Sequence, residues 1–261
     1  MRRFTTQPLV VALLFSCFSA IAQSPAPKTL YEQHRWFDLR EAIKSQEAPA
    51  LYKGAVASAF NDSKDAEKYL GQAIEQAPNS KDAEEAHEIL AYLYARSGMS
   101  QEAVRQYDAI LRIKPGREDV ENVRPIFSAF GRYPDQSIDR LRRTTVRGKI
   151  SEKGIVIPVS INKKTVHWGL DTGFNLSIMS ESEARMLGLT IDEASAQATD
   201  LSGSTVKVRT AVVPTLAIGK VRLHNVPFLI ATDTQQPWNE LPSGSRAFIG
   251  LPVAIALGSI G

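Results

Sequence analysis

The apolar residues of this chain change period near Thr144, from three-to-four before it to two after it, so one uniform architecture cannot serve the whole length. From Thr29 to about Leu141 the sequence is rich in Ala, Glu, Gln and Lys, with apolar residues at helical spacing. Beyond Thr144, Ile155, Ile157, Val159 and Ile161 alternate with Val156, Pro158 and Ser160. Val166, Trp168 and Leu170 continue the alternation, then Val206, Val208, Thr210 and Val212, then Val226, Phe228 and Ile230. Glu152-Lys153-Gly154, Asn162-Lys163-Lys164, Ser202-Gly203-Ser204 and Ile218-Gly219-Lys220 divide these runs as turns. Evenly spaced short strands imply a small barrel or sandwich. One short helix interrupts them, opened by the capping-box pair Ser180 and Glu183 and stopped by Gly188. The expected fold class is therefore multi-domain α and β, an N-terminal helical domain followed by an all-β domain with one short helix. Hydrophobic residues are 43% of the chain, enough to give both a core.

The helical half repeats itself. Lys64 to Ile74 is echoed by Gln101 to Leu111, and both Ala66 to Ala103 and Pro78 to Pro115 are offset by 37 residues. A small residue lets two helices approach, an aromatic or leucine fills the space beside it, and a proline stops the second helix. Leu90, Ala91, Tyr94, Ala103, Tyr107 and Pro115 resemble a tetratricopeptide repeat, whose unit is about 34 residues. Gly54, Ala66, Leu70 and Pro78 form a poorer copy, with Lys53 where an apolar residue belongs. Tyr31 to Gln46 and Asp119 to Phe130 are expected to be capping helices. Stacks of this kind offer a protein-docking surface or act as a scaffold.

Arg2 and Arg3, the apolar run Leu9 to Phe15 and the small-x-small site Ala20-Ile21-Ala22 read as a secretory signal over residues 1–22. The apolar run is too short to span a bilayer. Its style implies export to a bacterial periplasm or beyond. Leu14 to Cys17 resembles a lipoprotein box only loosely, because Phe15 is too bulky for it. Cys17 is the one cysteine, so the mature chain would hold no disulfide and no thiol nucleophile. A formal charge of +3 without a dense basic, aromatic-interleaved patch argues against nucleic acid. Arg140 to Lys149 reads as a solvated linker.

The chemistry concentrates after the second alternating run, where Leu170 is followed by Asp171-Thr172-Gly173. A carboxylate, a small hydroxyl residue and a glycine at the end of a strand present an acid from a tight turn. The bland alternative is a turn aspartate that bonds its own backbone. Two further pieces lie downstream, Asp200-Leu201-Ser202-Gly203-Ser204-Thr205 and Ala247-Phe248-Ile249-Gly250-Leu251-Pro252-Val253. Together, over about 144–260, the three resemble the bacterial retropepsin-like aspartic proteases. The resemblance implies an acid-protease barrel in which Asp171, Thr172 and Gly173 are catalytic. Ser202, Gly203 and Ser204 would be the tip of a flap closing over an extended peptide, with Phe174 and Asn175 lining the pocket. Phe248, Ile249 and Gly250 would support the catalytic turn and lead into a helix. Phe174-Asn175 departs from the small Ala-Ser or Ala-Asp usual there.

The reaction of that family needs two carboxylates, and Asp192, Asp200 and Asp233 all lack a trailing glycine. A homodimer with one Asp171 from each protomer is expected, with Thr172 bonding across the two-fold axis. No cofactor or metal is expected. His34, His87, His167 and His224 have no ligand spacing, and His167 should point away from the face of Val166 and Trp168. No nucleophile elbow, Walker loop or dinucleotide loop occurs.

The expected organisation is thus a signal at 1–22, a helical domain at 29–141 and a protease domain at 144–261. The chain ends at Gly261, before the further strand that the resemblance implies, so the last domain is expected to be C-terminally incomplete. The expected function is a dimeric aspartic endopeptidase acting on peptides or proteins. The alternative is a non-catalytic peptide-binding module on the same fold.

Overall fold

Small residues bring the helices of the first half together in pairs. A computed structural model describes residues 25–139, 144–151, 154–199 and 205–258. Seven helices occupy its first part: α1 (Pro27–Glu32), α2 (Trp36–Ser45), α3 (Ala50–Ala59), α4 (Ser63–Gln76), α5 (Lys81–Arg96), α6 (Ser100–Ile113) and α7 (Glu118–Phe130). At Gly54 a Cβ would stand 2.5 Å from Leu70 Cγ, so α3 and α4 are closer than any larger residue permits. Ala66, Leu70, Ala103 and Ile110 are fully buried. Helices α4 and α6 have 14 residues each and begin at Ser63 and Ser100, the 37-residue offset read from the sequence. Side chains of Asp62 and Ser80 cap α4 and α5 by accepting from Asp65 N and Ala83 N.

The stretch Tyr31 to Gln46 is two helices rather than one. His34 turns the backbone at φ 54° between them. The break lets Leu30 of α1 and Leu39 of α2 share one buried cluster with Val56.

The second half is a closed barrel. Its strands are β1 (Ser137–Ile138), β2 (Lys149–Ser151), β3 (Gly154–Ile161), β4 (Lys164–Leu170), β5 (Ser177–Ser180), β6 (Ile191–Thr199), β7 (Thr205–Ile218), β8 (Val221–Ala231) and β9 (Ala247–Ile249). The order β8-β5-β9-β4-β3-β7 returns to β8 through the long β7–β8 hairpin, so six strands close a ring. Strands β1, β2 and β6 attach to it. Positive φ at Asn162 (48°) and Lys163 (66°) makes the tight β3–β4 turn, with Ile161 opposite Lys164. The period-two residues fill the interior: Val159, Ile161, Val166, Trp168, Val226, Phe228 and Ile230 are all buried. His167 is exposed between Val166 and Trp168, as the alternation requires.

Among the described residues the barrel half holds α8 (Glu181–Met186), the short helix of the capping pattern, and α9 (Leu251–Leu257), the helix expected after Gly250. A 3-10 turn spans Trp238–Glu240. Gly250 ends β9 and Pro252 stands at the start of α9, where a missing N–H costs nothing. The Ser180–Glu183 box is half formed. Ser180 Oγ accepts from Glu183 N, but Glu183 turns inward and accepts from Trp168 Nε1 and Gly244 N, both at 2.9 Å. That buried carboxylate ties α8, the barrel core and the loop before β9 together. Strand β6, too polar to show in the apolar pattern, pairs with β7 through a bulge between Asp192 and Ala196.

The two halves share a core. Phe127 and Phe130 of α7, with Tyr107 and Ile110 of α6, cluster with Val208, Val212, Leu229 and Leu176 of the barrel half. Burial pushes the Tyr107 phenol up to about 12. Arg132 pairs with Asp192, and Gln136 Nε2 donates to Pro252 O at 3.0 Å.

Candidate active site

Strand β4 runs out at Leu170 because β9 begins to cover it there. The two are parallel, with Gly169 opposite Phe248 and Leu170 opposite Ile249. On its other edge β9 pairs antiparallel with β5, Ile178 opposite Phe248. The turn 171–176 therefore joins two strands that have a third between them. It cannot close by a simple hairpin and must arch over the end of β9.

That arch is held by backbone. Asp171 N donates to Ile249 O at 3.0 Å, and Leu251 N donates to Phe174 O at 2.8 Å. Gly250 N donates to Ser177 Oγ at 3.0 Å. Gly250 is required by space: a Cβ would lie 2.6 Å from both C and O of Leu176 and 2.9 Å from Phe174 O. Gly169 is required likewise, since its Cβ would meet the Phe248 ring at 2.3 Å. Phe174 lies 5.8 Å, centroid to centroid, from Phe248, which also meets Trp238 at 5.5 Å.

On this arch Asp171, Thr172 and Gly173 are exposed in sequence. Asp171 Oδ1 accepts from Gly173 N at 2.9 Å. Among the described residues no cation and no second carboxylate pairs with it. Asp233 and Asp192 are engaged elsewhere. Burial works to raise the Asp233 pKa, but donation from Ser182 Oγ and N, from Ser180 and from Arg246 outweighs it and holds the carboxyl below its ordinary value. Asp192 pairs with Arg132. Asp200 lies outside the described residues.

The fold thus gathers Asp171, Thr172, Gly173, Phe174, Asn175, Phe248, Ile249 and Gly250 at one place. Ser202, Gly203 and Ser204 lie outside the described residues. The strands that flank them pair Thr199 with Thr205. Among the described residues no group of three His, Cys, Asp or Glu could hold a metal ion. Phe174 packs on Phe248 instead of simply crowding the acid.

Sequence reasoning missed the helical half's part in this site. Tyr92 OH of α5 donates to Asn175 Oδ1 at 2.7 Å, and Leu176 sits on the α6–α7 cluster. No periodicity signals a contact across 83 residues. The role of Ser177 as acceptor for Gly250 was equally hidden, because it depends on which strand enters between β4 and β5.

The geometry is thus a solvent-facing carboxylate on an arch, held by backbone hydrogen bonds, at the end of a closed barrel of six strands. Residues 157–252 match the family model described as aspartyl protease, a span holding the arch and its support. Among solved structures the chain is similar to that described as "a retropepsin-like aspartic protease from Rickettsia conorii", at 13% identity and TM-score 0.30. That match covers 43% of this chain and 83% of the other. No curated protein matches the chain. The helical half lies outside the family match.

Proposed function

We propose that the barrel half is a retropepsin-like aspartic endopeptidase that becomes complete as a homodimer, with Asp171 of each protomer supplying one carboxylate. The observation that carries this reading is the arch itself: an exposed Asp171 with no second acid beside it among the described residues, clamped through Ile249, Gly250 and Ser177. Its surroundings support a symmetric contact. Ile155, opposite Leu170 in the sheet, is 46% exposed, and Ile150, opposite Ile155, is 89% exposed. Two bare isoleucines beside a lone acid suit burial against the same patch of a second copy.

In such a pair the two carboxylates are too close for both to ionise, and they share one proton. The ionised one takes a proton from a water held between them. The water oxygen adds to the peptide carbonyl carbon, and the protonated carboxyl gives its proton to the carbonyl oxygen. Collapse of the diol breaks the C–N bond: the carboxyl that took the water's proton gives it to the leaving amine nitrogen, and the other carboxylate takes the proton of a diol hydroxyl. Thr172 would fix the two turns to each other, and Ser202 to Ser204 would cover the substrate. The signal at 1–22 supports export, and the 37-residue repeat supports a tetratricopeptide-type scaffold.

The test is Asp171→Asn in the full chain, digesting a peptide library between pH 3 and 8. Cleavage should vanish while the melting curve is kept, and the wild-type rate should follow a bell-shaped profile with two apparent pKa values belonging to the pair. Cleavage by Asp171→Asn at the wild-type rate would refute the assignment. The Gly173 N–H bond to Asp171 is also what a purely structural turn would make, which favours a non-catalytic binding module as the second reading. That module would bind peptides and cut none at any pH.

A further inference from the structure

The helical half carries a cavity of about 810 Å³ walled by α1, α3, α5 and the start of α2, with Tyr31, Trp36, Tyr92 and Arg96 in its lining. Its carboxylates are already engaged. Glu84 pairs with Arg117 and Lys114, Glu88 with Arg117, and Glu85 accepts from Tyr31 OH at 2.6 Å. Arg96 differs from Lys114 and Arg117, which pair with these acids. Its Nη2 donates to Ser58 O and Oγ, both uncharged, and no carboxylate among the described residues reaches it. Its Nε is buried without an acceptor. Burial holds its pKa below the usual arginine value, and a guanidinium keeps its charge in proteins. A half-buried guanidinium with donors unused, in a cavity of this size, lacks an anion.

Tyr92 links the cavity to the arch that carries Asp171. Arg96 lies one helical turn beyond Tyr92 on the same face of α5, its Cζ 5.7 Å from the Tyr92 ring centroid. Tyr92 lines the cavity and also holds Asn175. A polypeptide crossing Asp171 toward α5 would therefore meet Tyr92 at the border of this space.

We propose that the cavity is an accessory substrate site that receives a carboxylate of the polypeptide, a C-terminal or an acidic side-chain group, on Arg96. This rests on the proteolytic reading for its purpose but not for its binding chemistry. The site would make the enzyme favour substrates with an acid at a set distance from the cleaved bond.

Full-length Asp171→Asn protein binds without cutting and serves as the test material. The probes are two fluorescein-labelled octapeptide pools, one ending in Glu with a free carboxylate, the other ending in Gln amide, compared by polarisation. The acidic pool should bind at least about tenfold more tightly, as loss of a charge-assisted contact implies. Adding Arg96→Gln should erase that difference, and Arg96→Lys should restore part of it. Equal binding of the two pools, or no binding of either, overturns the site even if Arg96→Gln fails to fold. A preserved preference in folded Arg96→Gln also overturns it. With active protein, Arg96→Gln should raise KM for the acidic pool and leave kcat. If the acidic pool binds through Arg96 and no peptide is ever cut, the carboxylate site stands and the proteolytic reading falls.

Discussion

Gly250→Ala tests the arch through a change of sign. Gly250 has φ −93°, a value any residue adopts, so on backbone grounds alanine should stabilise by about 0.4–1 kcal/mol through the unfolded chain. The space says otherwise. The new methyl would lie 2.6 Å from two backbone atoms of Leu176, roughly 0.8 Å inside van der Waals contact. Those atoms are held by Leu251 N–Phe174 O on one side and Gly250 N–Ser177 Oγ on the other, so relief must break one or both. Overpacking costs about 1–3 kcal/mol, and each hydrogen bond lost about 0.5–1.5. Less the entropic gain, the net should be about 0.5–5.5 kcal/mol of destabilisation, or roughly 2–20 °C in the melting temperature of the barrel half. Thermal unfolding followed by tryptophan fluorescence reads it, because Trp168 and Trp238 both lie in that half. Gly71→Ala is the control. It sits inside α4 with nothing within 4 Å of its would-be Cβ, and should raise stability by up to about 1 kcal/mol. A Gly250→Ala protein that melts with the wild type, or above it, would refute the claim that this glycine fixes the arch.

Three further outcomes are expected. Glu183→Ala, which strands the Trp168 and Gly244 N–H groups in the interior, should destabilise by about 3 kcal/mol or more in urea unfolding, and Glu183→Gln by less, since one acceptor oxygen remains. Asp233 has a lowered folded pKa, so its stabilising effect is complete above the ordinary carboxylate value and fades as pH falls through the lowered one. Asp233→Asn should therefore be less stable than wild type near pH 7, with the gap closing below about pH 4 in melts across pH. Replacing Ile150 and Ile155 together by Asp should weaken self-association at least about tenfold in sedimentation experiments, and an unchanged dimer would remove those residues from the interface.

Much of this was legible from local pattern. Alternation at 155–161 and 164–170 marks strands because one face is buried and the other wet. The small residues at Ala66 and Ala103 mark helix pairs because the helices must touch there. Polar β6 escaped, since its pairing comes from the neighbouring β7 and not from its own apolar residues. The split at His34 escaped too, because a single left-handed residue leaves no periodic trace.

By itself, then, the sequence determined the two periods, the repeat, and an acid followed by glycine at the end of a strand, all of which depend on near neighbours in the chain. Only the tertiary structure decided that β9 enters between β4 and β5, that Gly169 and Gly250 rather than Gly173 have no room to spare, and that Tyr92 reaches Asn175 from the other half. Those are contacts between segments far apart in the chain, set by how two cores close against each other, and no local period encodes them.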